Sequence, residues 1–151
     1  MRIAYPNKQQ NVELIRIIVQ RHMAEGFADA QCLAVIDNDD EIAGIVAFFN
    51  YRKPNIEVAF FCDDFRWALN RDGIIEVLSY PFVQLQCQRI TALVEKKNLQ
   101  ARRMVQRLGF VEEGKLRKAG PKGDIFIYGL LSDELKLRKY HGKWTNTANA
   151  A

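Results

Sequence analysis

Apolar residues recur along this chain first at a helical spacing and then at a strand spacing. From Gln9 to Met23, the residues Val12, Ile15, Ile18 and Val19 fall three and four apart, which predicts one face of an amphipathic helix. A short strand or arm, Met1 to Tyr5, precedes it, with Pro6 and Asn7 as punctuation and Gly26 as the expected stop. Three strand-like runs follow. Gln31 to Ile36 and Glu41 to Phe49 flank Asp37-Asn38-Asp39-Asp40, a turn-forming cluster, and predict a β-hairpin. Pro54 and Asn55 open the third run, Ile56 to Cys62, and the three together predict an antiparallel meander. The period then returns to helical: Ile74, Leu78, Phe82 and Leu85 mark one face of a helix from about Trp67 to Gln86, with a kink expected at Pro81. Arg89 to Glu95 reads as a strand, Asn98 as a helix N-cap, and Leu99 to Leu108 as a helix stopped by Gly109. Phe110 to Lys118 and Asp124 to Leu131 read as strands joined through Gly120-Pro121-Lys122-Gly123, and a short helix is expected at Ser132 to Arg138. Residues 140–151 lack periodicity and are expected to be a mobile tail, leaving one domain over residues 1–139.

Composition narrows the class. A chain of 151 residues with 48% hydrophobic positions suits one folded domain and excludes a disordered polypeptide. The longest apolar run, Ile42 to Phe49, is too short to cross a bilayer, and Met1 to Lys8 has no signal-peptide core, so a cytoplasmic protein without membrane partners is expected. Cys32, Cys62 and Cys87 form no C-x-x-C pair and only two His are present, which argues for free thiols and against a metal site. Net charge is +4, but Arg89 to Lys122 holds ten basic and three acidic residues, a local +7 that leaves −3 for the rest. Such a stretch suits a nucleic acid, an acidic protein surface or a phosphate-rich cofactor, or is simply a solvated helix face. With no recognisable nucleic-acid module in the sequence, nucleic acid is the weakest of these.

The stretch RITALVEKKNLQARRMVQRLGFVEEGKLRKAGPKGDIFIYGLL, Arg89 to Leu131, has a strand, an Asn opening a helix, Leu108-Gly109-Phe110, and Glu113-Gly114-Lys115-Leu116-Arg117 in order. Together with Tyr80-Pro81-Phe82 upstream, it resembles the GNAT superfamily of N-acetyltransferases, most closely the branch that modifies ribosomal proteins and similar amines. The resemblance spans about residues 31–135 and implies an α/β fold, with a mixed, mostly antiparallel central sheet flanked by helices. It also implies transfer of an acetyl group from acetyl-CoA to an amine of a protein or small molecule. Ile56 to Cys62 becomes the splayed central strand whose backbone pairs with the pantetheine arm and stabilises the developing oxyanion, with Phe61 and Cys62 beside the cofactor. The helix from Trp67 becomes the one whose N-terminal amides meet the pyrophosphate. Where the family carries R/Q-x-x-G-x-G/A, this chain has Asp63-Asp64-Phe65-Arg66-Trp67-Ala68, and only Ala68 fits. Arg66, Trp67, Ala68 and Arg71 are the cofactor candidates there, the two arginines as direct phosphate ligands.

The chemistry implied by the resemblance needs a base and an acid. Glu57 stands where a family base often lies, and the alternative is a plain surface glutamate. The family's acid is a tyrosine at the position held here by Val105, which has no proton to give; Tyr128 is the substitute, against an ordinary packing role. Asn98 is expected both to cap its helix and to hold the cofactor arm, and Arg102 to reach the phosphates unless it is a solvated helix residue. Cys62 is not read as a nucleophile, and His22 and His141 have no assigned role. The alternative function is a GNAT-fold interaction or structural module that has lost catalysis. No residue pattern specifies the acceptor amine or the oligomeric state.

Overall fold

The computed structural model describes residues 1–62 and 71–135. Seven strands lie in the order β1-β2-β3-β4-β5-β7-β6. They are β1 (Arg2–Ala4), β2 (Gln31–Ile36), β3 (Ile42–Arg52), β4 (Asn55–Cys62), β5 (Arg89–Glu95), β6 (Val111–Gly120) and β7 (Gly123–Leu131). The described helices are α1 (Lys8–His22), α2 (Arg71–Ser79) and α3 (Leu99–Arg107). The mixed, mostly antiparallel sheet with flanking helices is the architecture expected from the sequence. The chain groups into two compact units, Met1–Tyr51 with Val58–Val77, and Arg52–Glu57 with Leu78 onward.

In the first unit, β1, β2 and β3 pair antiparallel, and the Asp37 cluster makes the predicted turn. Asp37 Oδ1 accepts the backbone N–H of Asp39 at 2.8 Å and of Glu41 at 3.0 Å, so the side chain holds the loop closed. The buried stripe of α1 differs from the expected one. Leu14 and Ile18 are its buried members, whereas Val12 and Val19 are exposed. Asn11 accounts for the rotation: its amide donates to the Ala30 carbonyl at 2.9 Å and its Oδ1 accepts the Cys32 N–H at 2.8 Å. A polar residue therefore takes the inward position that apolar periodicity assigns to Val12. The stop also differs, because Met23 in left-handed conformation ends the helix (φ 50°) and Gly26 lies beyond it. At the other end Asn7 and Gln10 form a reciprocal capping box. Replacing Asn7 with Ala removes it and is expected to cost about 1 kcal/mol in urea unfolding, with an unchanged denaturant slope.

In the second unit, β5–β7–β6 form an antiparallel sheet with Thr91 opposite Gly129 and Val111 opposite Gly129 on its other side. The β6–β7 hairpin is tighter than expected: both strands run on to Gly120 and Gly123, leaving Pro121-Lys122 as the turn. Gly109, at φ +97°, ends α3 in the conformation glycine tolerates best. Around Pro81, where a kink is expected, the helix passes into a π-helical turn, Tyr80–Gln84, in which Leu85 N–H donates to the Tyr80 carbonyl at 3.3 Å. The helical period thus ends before Gln86. Instead of a helix from Ser132, a turn occupies 132–135, with Leu135 N–H on the Leu131 carbonyl. The expected helix start at Trp67, the remainder of Ser132 to Arg138 and the tail from 140 fall outside the described residues. Among the described residues no helix is long and apolar enough to cross a membrane, and no His, Cys, Asp and Glu group is placed to hold a metal ion.

Candidate active site

Strand β4 carries the first candidates. Ile56 and Val58 are buried, so strand alternation puts Glu57, Ala59 and Phe61 on its other face, all partly exposed. Phe61 packs edge-on against Phe27 at 5.0 Å between centroids and lies 5.4 Å from the His22 ring. Its place is therefore in an aromatic cluster that also takes in Phe49 through Phe27, with apolar packing as its visible task. Glu57, two pleats away on that face, is half-buried. Cys62, also half-buried, ends the strand. Arg71 opens α2, whereas Arg66, Trp67 and Ala68 fall outside the described residues.

The second group gathers at the end of β5. Asn98 caps α3, its Oδ1 accepting the Ala101 N–H at 3.1 Å. Its Nδ2 has no partner among the described residues. One turn on, Arg102 is committed inside the protein. Its Nε donates to the Tyr128 hydroxyl at 3.1 Å and its Nη1 to the Lys96 carbonyl at 3.1 Å. Its guanidinium lies 4.3 Å from the centre of the Phe126 ring, and Nη2 is 3.7 Å from a Glu112 oxygen. The structure thus brings Arg102 and Tyr128 together, a contact between residues 26 apart that no local motif signals. Tyr128 is fully buried and Val105, on the same helix as Arg102, is also buried.

A third group is invisible in the sequence. Arg89 and Glu113 form a two-bond ion pair, Nη1 to Oε2 at 2.9 Å and Nη2 to Oε1. The arginine holds the Glu113 carboxyl below the usual carboxylate range. Arg89 Nε also donates to Thr91 Oγ1 at 2.9 Å, and Thr91 in turn donates to Asn55 Oδ1 at 2.7 Å. Gly129 makes room for the pair: a Cβ there would stand 2.6 Å from Glu113 Oε2 and 2.7 Å from Arg89 Nη1. With the two charges 24 positions apart, only an ordered three-strand register reveals them. The thiols are quiet. Burial pushes Cys32 up to about 11 and also raises Cys87, so both stay protonated at neutral pH.

A family model for the acetyltransferase (GNAT) domain matches residues 1–111. YokL, a prophage-derived N-acetyltransferase of Bacillus subtilis (strain 168), is 26% identical over 115 residues, covering 71% of this chain and 64% of that protein. The chain therefore spans less than two thirds of that relative. Among solved structures, a variant of the spermidine N-acetyltransferase SpeG from Vibrio cholerae superposes with a TM-score of 0.63 at 19% identity, over 84% of this chain and 79% of that one. The ribosomal-protein-S5-alanine acetyltransferase of Vibrio fischeri gives 0.62 at 22% identity, over 85% and 72%. At these identities the structural likeness is one of fold. The family match covers most of the polypeptide, residues 1–111 of 151, and the chain belongs to the GNAT acetyltransferase family.

Proposed function

We propose that residues 1–139 act as one acetyl-CoA-dependent N-acetyltransferase domain, passing an acetyl group to an amine of a protein or small molecule. The observation that carries the reading is Asn98: its oxygen is spent on the helix cap, while its NH2 group is free to donate to a carbonyl of the cofactor arm. Family membership supplies the reaction class. When bound, acetyl-CoA supplies an acetyl group activated as a thioester. In this reading the β4 backbone and Asn98 hold the arm, and Arg66 and Arg71 meet its phosphates. Glu57 takes the proton that an ammonium must lose before nitrogen can attack, directly or through one water. Tyr128, oriented by the Arg102 guanidinium, holds the proton for the departing sulfur. The three free cysteines fit a reducing cytoplasm as the place of action.

Burial of both Val105 and Tyr128 favours a second reading, a GNAT-fold interaction or structural module that has lost catalysis. Calorimetric titration with acetyl-CoA, CoA and dephospho-CoA tests the first step. Saturable binding is expected, within about the 1 μM–1 mM range usual for enzyme substrates. Turnover assays with spermidine and with an alanine-initiated peptide follow, because relatives of the same fold bear those names. Binding with no transfer to any amine, or a folded sample that binds no acyl-CoA, overturns the transferase reading and supports the module.

A further inference from the structure

Strand β6 ends the strand order, so its outer row of backbone groups has no neighbouring strand among the described residues. Its charge is polarised along its length. The acidic end is neutralised from within the unit: Glu113 pairs with Arg89, and Glu112 lies 3.7 Å from Arg102. The other end carries Lys115, Arg117 and Lys118, with Lys122 on the adjoining turn. Lys96 brings the β5–α3 loop to the same end of the sheet, since its N–H donates to the carbonyl of Asp124 on β7 at 2.9 Å. The local carboxylate, Asp124, is already engaged: Oδ1 accepts the Lys118 N–H at 2.9 Å and Oδ2 lies 3.9 Å from Lys115 Nζ. Arg117, Lys118, Lys122 and Lys96 have no side-chain hydrogen bond or ion pair among the described residues. Of these, Arg117 and Lys118 line an open cleft of about 900 Å³ together with Lys115, Leu116, Ala119 and Asp124.

We propose that the outer edge of β6 binds an extended, acidic segment of a protein partner by strand addition. The edge supplies main-chain hydrogen bonds, which give affinity without regard to side chains. Lysine and arginine along it supply selection for carboxylates, and exposed Val111 and Leu116 offer apolar contacts. A second copy of this chain is a poorer occupant, because the acids it would present are already paired with Arg89 and Arg102. The surface is separate from the proposed acetyl transfer and stands or falls without it.

The test uses fluorescein-labelled ten-residue peptides in anisotropy titrations against the full chain at 50 mM salt. The probe alternates Glu and Val; the controls alternate Lys and Val, or Glu and Pro, and a single-stranded DNA 12-mer is run beside them. The Glu-Val peptide is expected to bind at least about tenfold tighter than every control, and to weaken as salt rises. The Glu-Pro peptide keeps the charge but loses the strand's donors, so it isolates backbone pairing. Charge reversal at Arg117→Glu with Lys118→Glu is expected to weaken Glu-Val binding at least tenfold, and the milder Arg117→Gln with Lys118→Gln to weaken it in the same direction. Equal binding of Glu-Pro, indifference to both double substitutions, tighter binding of the DNA, or no binding at all would each overturn the proposal.

Discussion

Replacing Glu57 with Gln is expected to slow acetyl transfer by about 10²–10⁴-fold, the usual contribution of a positioned general base. The substitution preserves size and polarity but removes the carboxylate's capacity to accept a proton. It should leave the strand intact, because the buried neighbours Ile56 and Val58 fix the backbone on either side. Glu57 has no part in the proposed hold on the cofactor, so acetyl-CoA affinity is expected to stay within about twofold while kcat falls. That split separates loss of the base from loss of the site. A kcat within about threefold of the parent, measured at saturating amine and cofactor, would place the base elsewhere in the chain.

The order of elements was legible because apolar spacing repeats locally, and sheet alternation then follows from it. What the pattern misses is polar and long-range. Asn11 occupies the inward face of α1 because two backbone groups of the β2 approach need its amide, and this turns Val12 outward. Apolar periodicity cannot register a side chain that turns inward in order to hydrogen-bond. Met23 takes the left-handed stop that glycine usually holds, so the nearest glycine marks the wrong residue. The same limit applies to the candidate site. Asn98 was readable as a cap because capping is a local, three-residue event. Arg102 carried no such signal: a helical arginine in a basic stretch reads equally as a phosphate ligand or a solvated residue. Its actual surroundings depend on Tyr128, Phe126 and Lys96, brought together only when β5, β7 and α3 have assembled.

Those surroundings make Arg102→Ala the largest expected loss of stability among the site residues. The Arg102 side chain is only 23% exposed, and its removal strands a fully buried tyrosine hydroxyl. An unsatisfied buried polar group costs about 1–3 kcal/mol, and the lost ring contact adds about 0.5–1. A destabilisation of about 1.5–4 kcal/mol in urea unfolding is therefore expected. Arg102→Lys should recover only part of it, because an ammonium cannot serve the hydroxyl and the Lys96 carbonyl while lying flat over Phe126. The cause is separable from general damage by a double-mutant cycle. Tyr128→Phe in the Arg102→Ala background removes the orphaned hydroxyl itself, so it should cost less there than in the parent, with a coupling of about 1 kcal/mol or more. The cycle also decides between the two roles of this arginine. If Arg102 chiefly meets cofactor phosphates, the Ala variant keeps its stability, loses acetyl-CoA affinity in a salt-dependent way and shows no coupling to Tyr128. If it is the clamp described by the geometry, stability and coupling carry the effect, and any change in turnover is shared with Tyr128→Phe.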